Sequence, residues 1–128
     1  MDLIYLVIGL ALLEYFIFGA LAGQARGKHG VEAPAVTGHP EFERRLRVQQ
    51  NTLEQLMIFI PSVLLFGHYW SEGVAAGLGA VFIVGRLVYY RGYVADPGKR
   101  GTGFAIGFLA QVILLLGSIA GAVMDLLT

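Results

Sequence analysis

The chain has 128 residues, 56% hydrophobic and 14% charged, with nine cationic side chains, nine anionic ones and no cysteine. Soluble domains run at about 45–50% apolar and about 25% charged, and one this small keeps too much surface exposed to hide the excess. Zero formal charge gives no support to a nucleic-acid partner, and the lack of thiols excludes disulfides, a cysteine nucleophile and thiolate metal sites. What remains is an all-α integral membrane protein.

Leu3 to Gly23 is apolar except for Glu14, about the length that crosses a bilayer. It opens on Asp2 rather than a cation, its apolar run is too long for a signal peptide's, and no small-residue cleavage site follows. Arg26 to Arg45 is polar and rich in Gly and Pro, and reads as a loop. Leu53 to Gly67 is apolar but short, so the second helix reaches full length only by starting near Arg44 or Arg47, with Pro61 predicting a kink. Gly73 to Tyr90 carries one charge, Arg86. Asp96-Pro97-Gly98 is a turn, and Phe104 to Met124 holds only Gln111 and Ser118 as polar residues. The pattern predicts a single domain, 1–128, of four transmembrane helices near 3–24, 45–67, 73–94 and 102–126.

All the Lys and Arg residues lie in or beside the first and third connections, none in the second or at the termini. The positive-inside rule places those two connections in the cytoplasm and both termini on the other side. Small residues four apart (Gly19/Gly23, Gly73/Gly77, Gly103/Gly107, Gly117/Gly121) are packing seams, within the bundle or between subunits. Four short helices enclose little interior, which favours self-association.

The second helix carries the chemistry. At 100° per residue Arg44, Arg47, Asn51 and Glu54 fall within roughly 80° of one another. On the third helix Arg86, Tyr89, Tyr90 and Tyr93 share a side. Ionisable groups at membrane depth cost at least about 2.5–3.5 kcal/mol each, so they face an interior and find partners. Two such stripes at the same end predict a hydrophilic pocket suited to an anionic ligand held by guanidinium groups. The same residues also fit a purely structural arrangement, with Arg47 and Glu54 neutralising neighbours, Arg44 and Arg45 snorkelling, and the tyrosines forming an aromatic belt. Glu14 reads either as a coupling carboxylate or as the partner of an Arg or Tyr on another helix. His29, His39 and His68 form no metal-ligand spacing.

Pro40-Glu41-Phe42-Glu43-Arg44, then Arg47-Val48-Gln49-Gln50-Asn51-Thr52-Leu53-Glu54, resembles the signature of the MAPEG family, the membrane-associated proteins of eicosanoid and glutathione metabolism. Gly85-Arg86-Leu87, Tyr89, Gly92-Tyr93 and Arg100 form a second anchor, and Pro34, Thr37 and Gly38 fit before the first. The likeness covers about residues 15–125. It implies a homotrimer of four-helix subunits in a bacterial inner membrane, binding glutathione as co-substrate between neighbouring subunits. Carried over position by position, Arg47, Gln49, Asn51, Glu54, Tyr89, Tyr93 and Arg26 would contact glutathione, and Arg100 would be the catalytic arginine that stabilises its thiolate. In the leukotriene-synthase branch a Tyr follows the Glu of the second helix; here it is Gln55. The implied activity is a glutathione transferase or peroxidase acting on a hydrophobic electrophile or lipid hydroperoxide. A non-catalytic lipid- or glutathione-binding relative, and a small multidrug-type transporter using Glu14, are the competing readings.

Overall fold

The computed structural model describes residues 1–128 as four long helices: α1 (Asp2–Lys28), α2 (Pro40–Tyr69), α3 (Glu72–Ala95) and α4 (Gly101–Leu127). A short 3-10 turn, Pro97–Lys99, precedes α4. Each helix extends past the apolar segment that predicts it, and side-chain caps fix the starts of α2 and α3. Pro40 occupies the first turn of α2, where its missing N–H costs nothing, and His39 accepts from the Glu41 amide at 3.1 Å. Ser71 caps α3 through the Val74 amide at 3.2 Å, and Asp96 fixes the last turn through Gly98 at 3.0 Å. The first connection thus shrinks to the segment between Lys28 and Pro40, where His29 stacks on His39 with ring centroids 3.4 Å apart.

The helices alternate in direction. The end of α1, the start of α2, the end of α3 and the start of α4 therefore share one end of the bundle, here called the basic end. Of the cations, only Arg86 lies deep inside. α1, α3 and the Pro97–Leu127 stretch are each long and apolar enough to cross a membrane. α2 is not, because its first half carries the polar stripe. It is held at depth by its neighbours instead. Phe59 stacks on Phe82 of α3 at 4.1 Å in mid-bundle. Arg44 donates to the Val94 carbonyl at 3.2 Å at one end, and Trp70 to the Gly117 carbonyl of α4 at 2.8 Å at the other. Exposed Leu6, Leu13, Phe16, Leu109 and Leu116 face outward on α1 and α4. In lipid such a surface is the expected one.

The predicted glycine seams divide into two kinds. A Cβ at Gly103 would overlap the Tyr89 backbone, and those at Gly117 and Gly121 would strike Phe66 and Tyr69 of α2. These glycines let α4 approach α3 and α2 closely. Gly23 and Gly77 meet nothing within the subunit. Gly85, outside the predicted spacing, faces the Gly107 backbone, where an added Cβ would come within 2.6 Å of its nitrogen.

Candidate functional site

At the basic end, α2, α3 and the start of α4 enclose a cavity of about 410 Å³ lined by Arg47, Asn51, Tyr89, Tyr93, Arg100, Gly101 and Phe104. Arg47 and Asn51, Tyr89 and Tyr93, and Arg100 and Phe104 are all four residues apart. Side chains at this spacing project from one face of a helix, so each helix contributes one vertical pair. The glycine contact of Gly103 with Tyr89 sets how near α4 comes to α3. The Tyr89 ring then lies 5.6 Å from Tyr93 and 6.2 Å from Phe104, centroid to centroid.

Electrostatically the wall is one-sided. Arg47 and Arg100 bring two exposed guanidinium groups, and Arg100 is steadied by donating to the Pro97 carbonyl at 2.7 Å. α4 begins at the cavity without a side-chain cap, and its first intrahelical bond runs from Phe104 to the Arg100 carbonyl. The earlier amides point toward the cavity end, where helix geometry and dipole favour an anion. No carboxylate lines the space.

Below the cavity lies a buried polar knot. Arg86 is 2% exposed and donates through Nη2 to Asn51 Oδ1 at 2.8 Å and to Thr52 Oγ1 at 2.9 Å. The Thr52 hydroxyl in turn donates to the Val48 carbonyl at 2.7 Å. The Arg86 guanidinium also sits 4.3 Å above the Tyr89 ring. Glu14 of α1 forms no ion pair with Arg86, and its Oε1 has no hydrogen-bond partner.

The other residues singled out from sequence lie elsewhere. Gln49 lines a second hollow, on the seam with α1, beside Tyr15, Phe16, Gly19 and Ala20. Arg26 donates to the Ala35 carbonyl at 2.9 Å and covers Phe42 at 4.5 Å, holding the first connection. Glu54 is exposed, just beyond Asn51, and takes part in no ion pair. Gln55 accepts from Gln111 of α4 at 2.9 Å. Two further arginines of this end are spent on the bundle itself: Arg44 binds the end of α3, and Arg45 binds the Leu21 carbonyl and Glu41. The aromatic stripe of α3 splits, since Tyr90 turns away to stack on Phe18 of α1 at 4.9 Å. Sequence reasoning passed over Phe104 and Gly101. The four-residue spacing from Arg100 could have found Phe104.

The sequence model of the MAPEG family matches residues 4–120. The chain belongs to the MAPEG family. An uncharacterized protein of Synechocystis sp. is 46% identical over 114 residues, 89% of this chain and 83% of that one. Human microsomal glutathione S-transferase 2 is 44% identical over 108 residues, 83% of this MAPEG chain and 74% of the human one. Leukotriene C4 synthase of Cavia porcellus is 39% identical over 94 residues, 73% of this chain and 61% of its own length. The four-helix membrane architecture is thus that of the MAPEG family.

Proposed function

We propose that the protein is a membrane-bound glutathione transferase, with peroxidase activity as a second use of the same thiolate. The observation that carries this reading is the convergence of Arg47, Asn51, Tyr89, Tyr93 and Arg100 on one cavity. Its volume of about 410 Å³ lies in the range of small-molecule sites, about 300–1,000 Å³. Glutathione brings two carboxylates and one ammonium, a net anion at pH 7, and the wall offers guanidinium, phenol and amide donors to receive it. The similarity to a glutathione S-transferase and a leukotriene C4 synthase supports the same assignment.

The chemistry follows from thiol acidity. A free thiol titrates near about 8.5 and is mostly protonated at pH 7. A guanidinium beside the sulfur favours the anion, and the thiolate is the nucleophile. Arg100 takes this role because its charge is exposed at the mouth of the cavity and its side chain is anchored on Pro97. The proton leaves to water. The sulfur then bonds to the electrophilic carbon of an acceptor arriving from the bilayer, and the acceptor's leaving group departs with the displaced electron pair.

Arg26, Gln49 and Glu54 complete the site in a homotrimer. Arg26 and Gln49 lie on the α1 side of α2, away from the subunit's own cavity. On this reading they face the tripeptide held by a neighbouring copy. The basic end is cytoplasmic, in a bacterial inner membrane, which gives the cavity access to cytosolic glutathione. An ultraviolet thiolate band on adding glutathione to detergent-solubilised protein, together with conjugation to an aryl halide, tests the proposal. A band without turnover would instead favour a glutathione-binding protein, and no band at saturating glutathione would remove the enzyme.

A further inference from the structure

We propose that Arg86, a residue that does not line the cavity, is a positioning residue: it locks the Asn51 amide so that this part of the wall can only donate hydrogen bonds. A guanidinium carries donors and no acceptor. The atom of Asn51 that meets Arg86 Nη2 at 2.8 Å must therefore be the carbonyl oxygen Oδ1, whichever way the amide might otherwise turn. The NH2 group is left for the cavity that Asn51 lines, and nothing within the chain accepts from it.

Arg86 cannot easily swing away. It is 2% exposed, a second bond to Thr52 Oγ1 at 2.9 Å holds the same Nη2, and Thr52 is fixed in turn on the Val48 carbonyl. The guanidinium face lies 4.3 Å from the Tyr89 ring, so one buried cation braces two wall residues on two helices. A free asparagine offers a donor or an acceptor at little cost. This one presents two N–H groups only.

The consequence is selectivity by chemistry. With Arg47, Arg100 and the uncapped start of α4, a donor-locked Asn51 makes the wall fit for a carboxylate and unfit for a ligand that brings N–H groups there. A site built to pair a polar group discriminates strongly, because the wrong ligand leaves buried groups unmatched. This inference rests on the glutathione reading only for its first probe. A simple dicarboxylate, glutarate, serves as the second.

Calorimetric titration of the detergent-solubilised protein with both probes, alongside thermal unfolding, tests it. Asn51→Asp keeps the shape and the Arg86 contact, now as an ion pair, but turns an oxygen toward the cavity. It should melt at or above the wild-type temperature and bind roughly tenfold or more weakly. Arg86→Met frees the amide to turn and should weaken binding by a similar factor, with partial recovery in Arg86→Lys, whose ammonium also only donates. Asn51→Asp binding as tightly as wild type overturns the donor lock, as does Arg86→Met binding unchanged. Wild type that ignores glutathione but takes up glutarate in an Asn51-dependent way sinks the tripeptide and keeps the lock. Binding of neither probe overturns both.

Discussion

Gly103 of α4 lies against Tyr89 of α3 so closely that an added methyl would overlap the Tyr89 amide nitrogen. One backbone contact thereby sets the distance between Phe104 and Tyr89, neighbouring rings in the cavity wall. Gly103→Ala should push the two helices apart. Ala gains up to about 1 kcal/mol of helix propensity over Gly, but overpacking at a backbone contact costs about 1–3 kcal/mol. The expected result is a lower melting temperature together with weaker glutathione binding. Wild-type values for both would show that the α3–α4 approach does not shape the site.

Arg100 and Arg47 are both exposed on the same cavity, yet their roles should separate in kinetics. Arg100→Ala removes a charge proposed to act on the sulfur anion. It should lower kcat with an aryl halide roughly tenfold or more, shift the pH–rate profile to higher pH and change the glutathione KM less. Arg47→Ala should mainly raise that KM, because it removes binding shared by ground and transition states. Unchanged turnover in Arg100→Ala would move the thiolate role to another residue.

The polar face of α2 was legible because helical spacing alone gathers Arg47 and Asn51, and lipid makes such a face costly unless it is used. The four helices were legible from apolar length, although α2 needed its neighbours to explain its place. What spacing could not reveal is which polar atoms are already spent. Arg44 and Arg86 share their helix faces with residues that line the cavity, yet one binds the Val94 carbonyl and the other Asn51 and Thr52. Those partners are 34 to 50 residues away in sequence, and only the packed bundle brings them together. Tyr90 failed the pattern for a similar reason: Phe18 of α1 offered a stacking partner on the other side.

Glu41, in the first turn of α2 outside the apolar segment, fastens the first connection. It meets His29 at 3.2 Å, Arg45 at 2.9 Å and Lys28 at 3.7 Å. The hydrogen bond from His29, aided by the charges of Lys28, Arg45 and His29, holds its carboxyl below the ordinary range. A folded pKa below the unfolded one stabilises the protein above the unfolded value, about 4.3, and that stabilisation disappears as pH falls through the folded value. Glu41→Gln should therefore melt below wild type at pH 7, and the difference should shrink as pH drops below about 4. A gap of constant size down to pH 3 would rule out the titration of Glu41 as its source.

Gln55 of α2 has its partner on α4: Gln111, 5% exposed, donates to it at 2.9 Å while its own Oε1 has no partner. Removing one member of such a pair leaves a second buried amide unmatched, at about 1–3 kcal/mol, whereas replacing both with apolar groups can be nearly neutral. Gln55→Leu alone should destabilise the detergent-solubilised protein by about that amount, and Gln55→Leu with Gln111→Leu should recover most of it. The cycle gives a coupling energy free of the glutathione assignment. Additive losses in the double variant would mean that the two amides act separately, and that α2 is held against α4 by apolar packing, the Ser118–Ser62 bond at 3.0 Å and the Trp70–Gly117 bond at 2.8 Å.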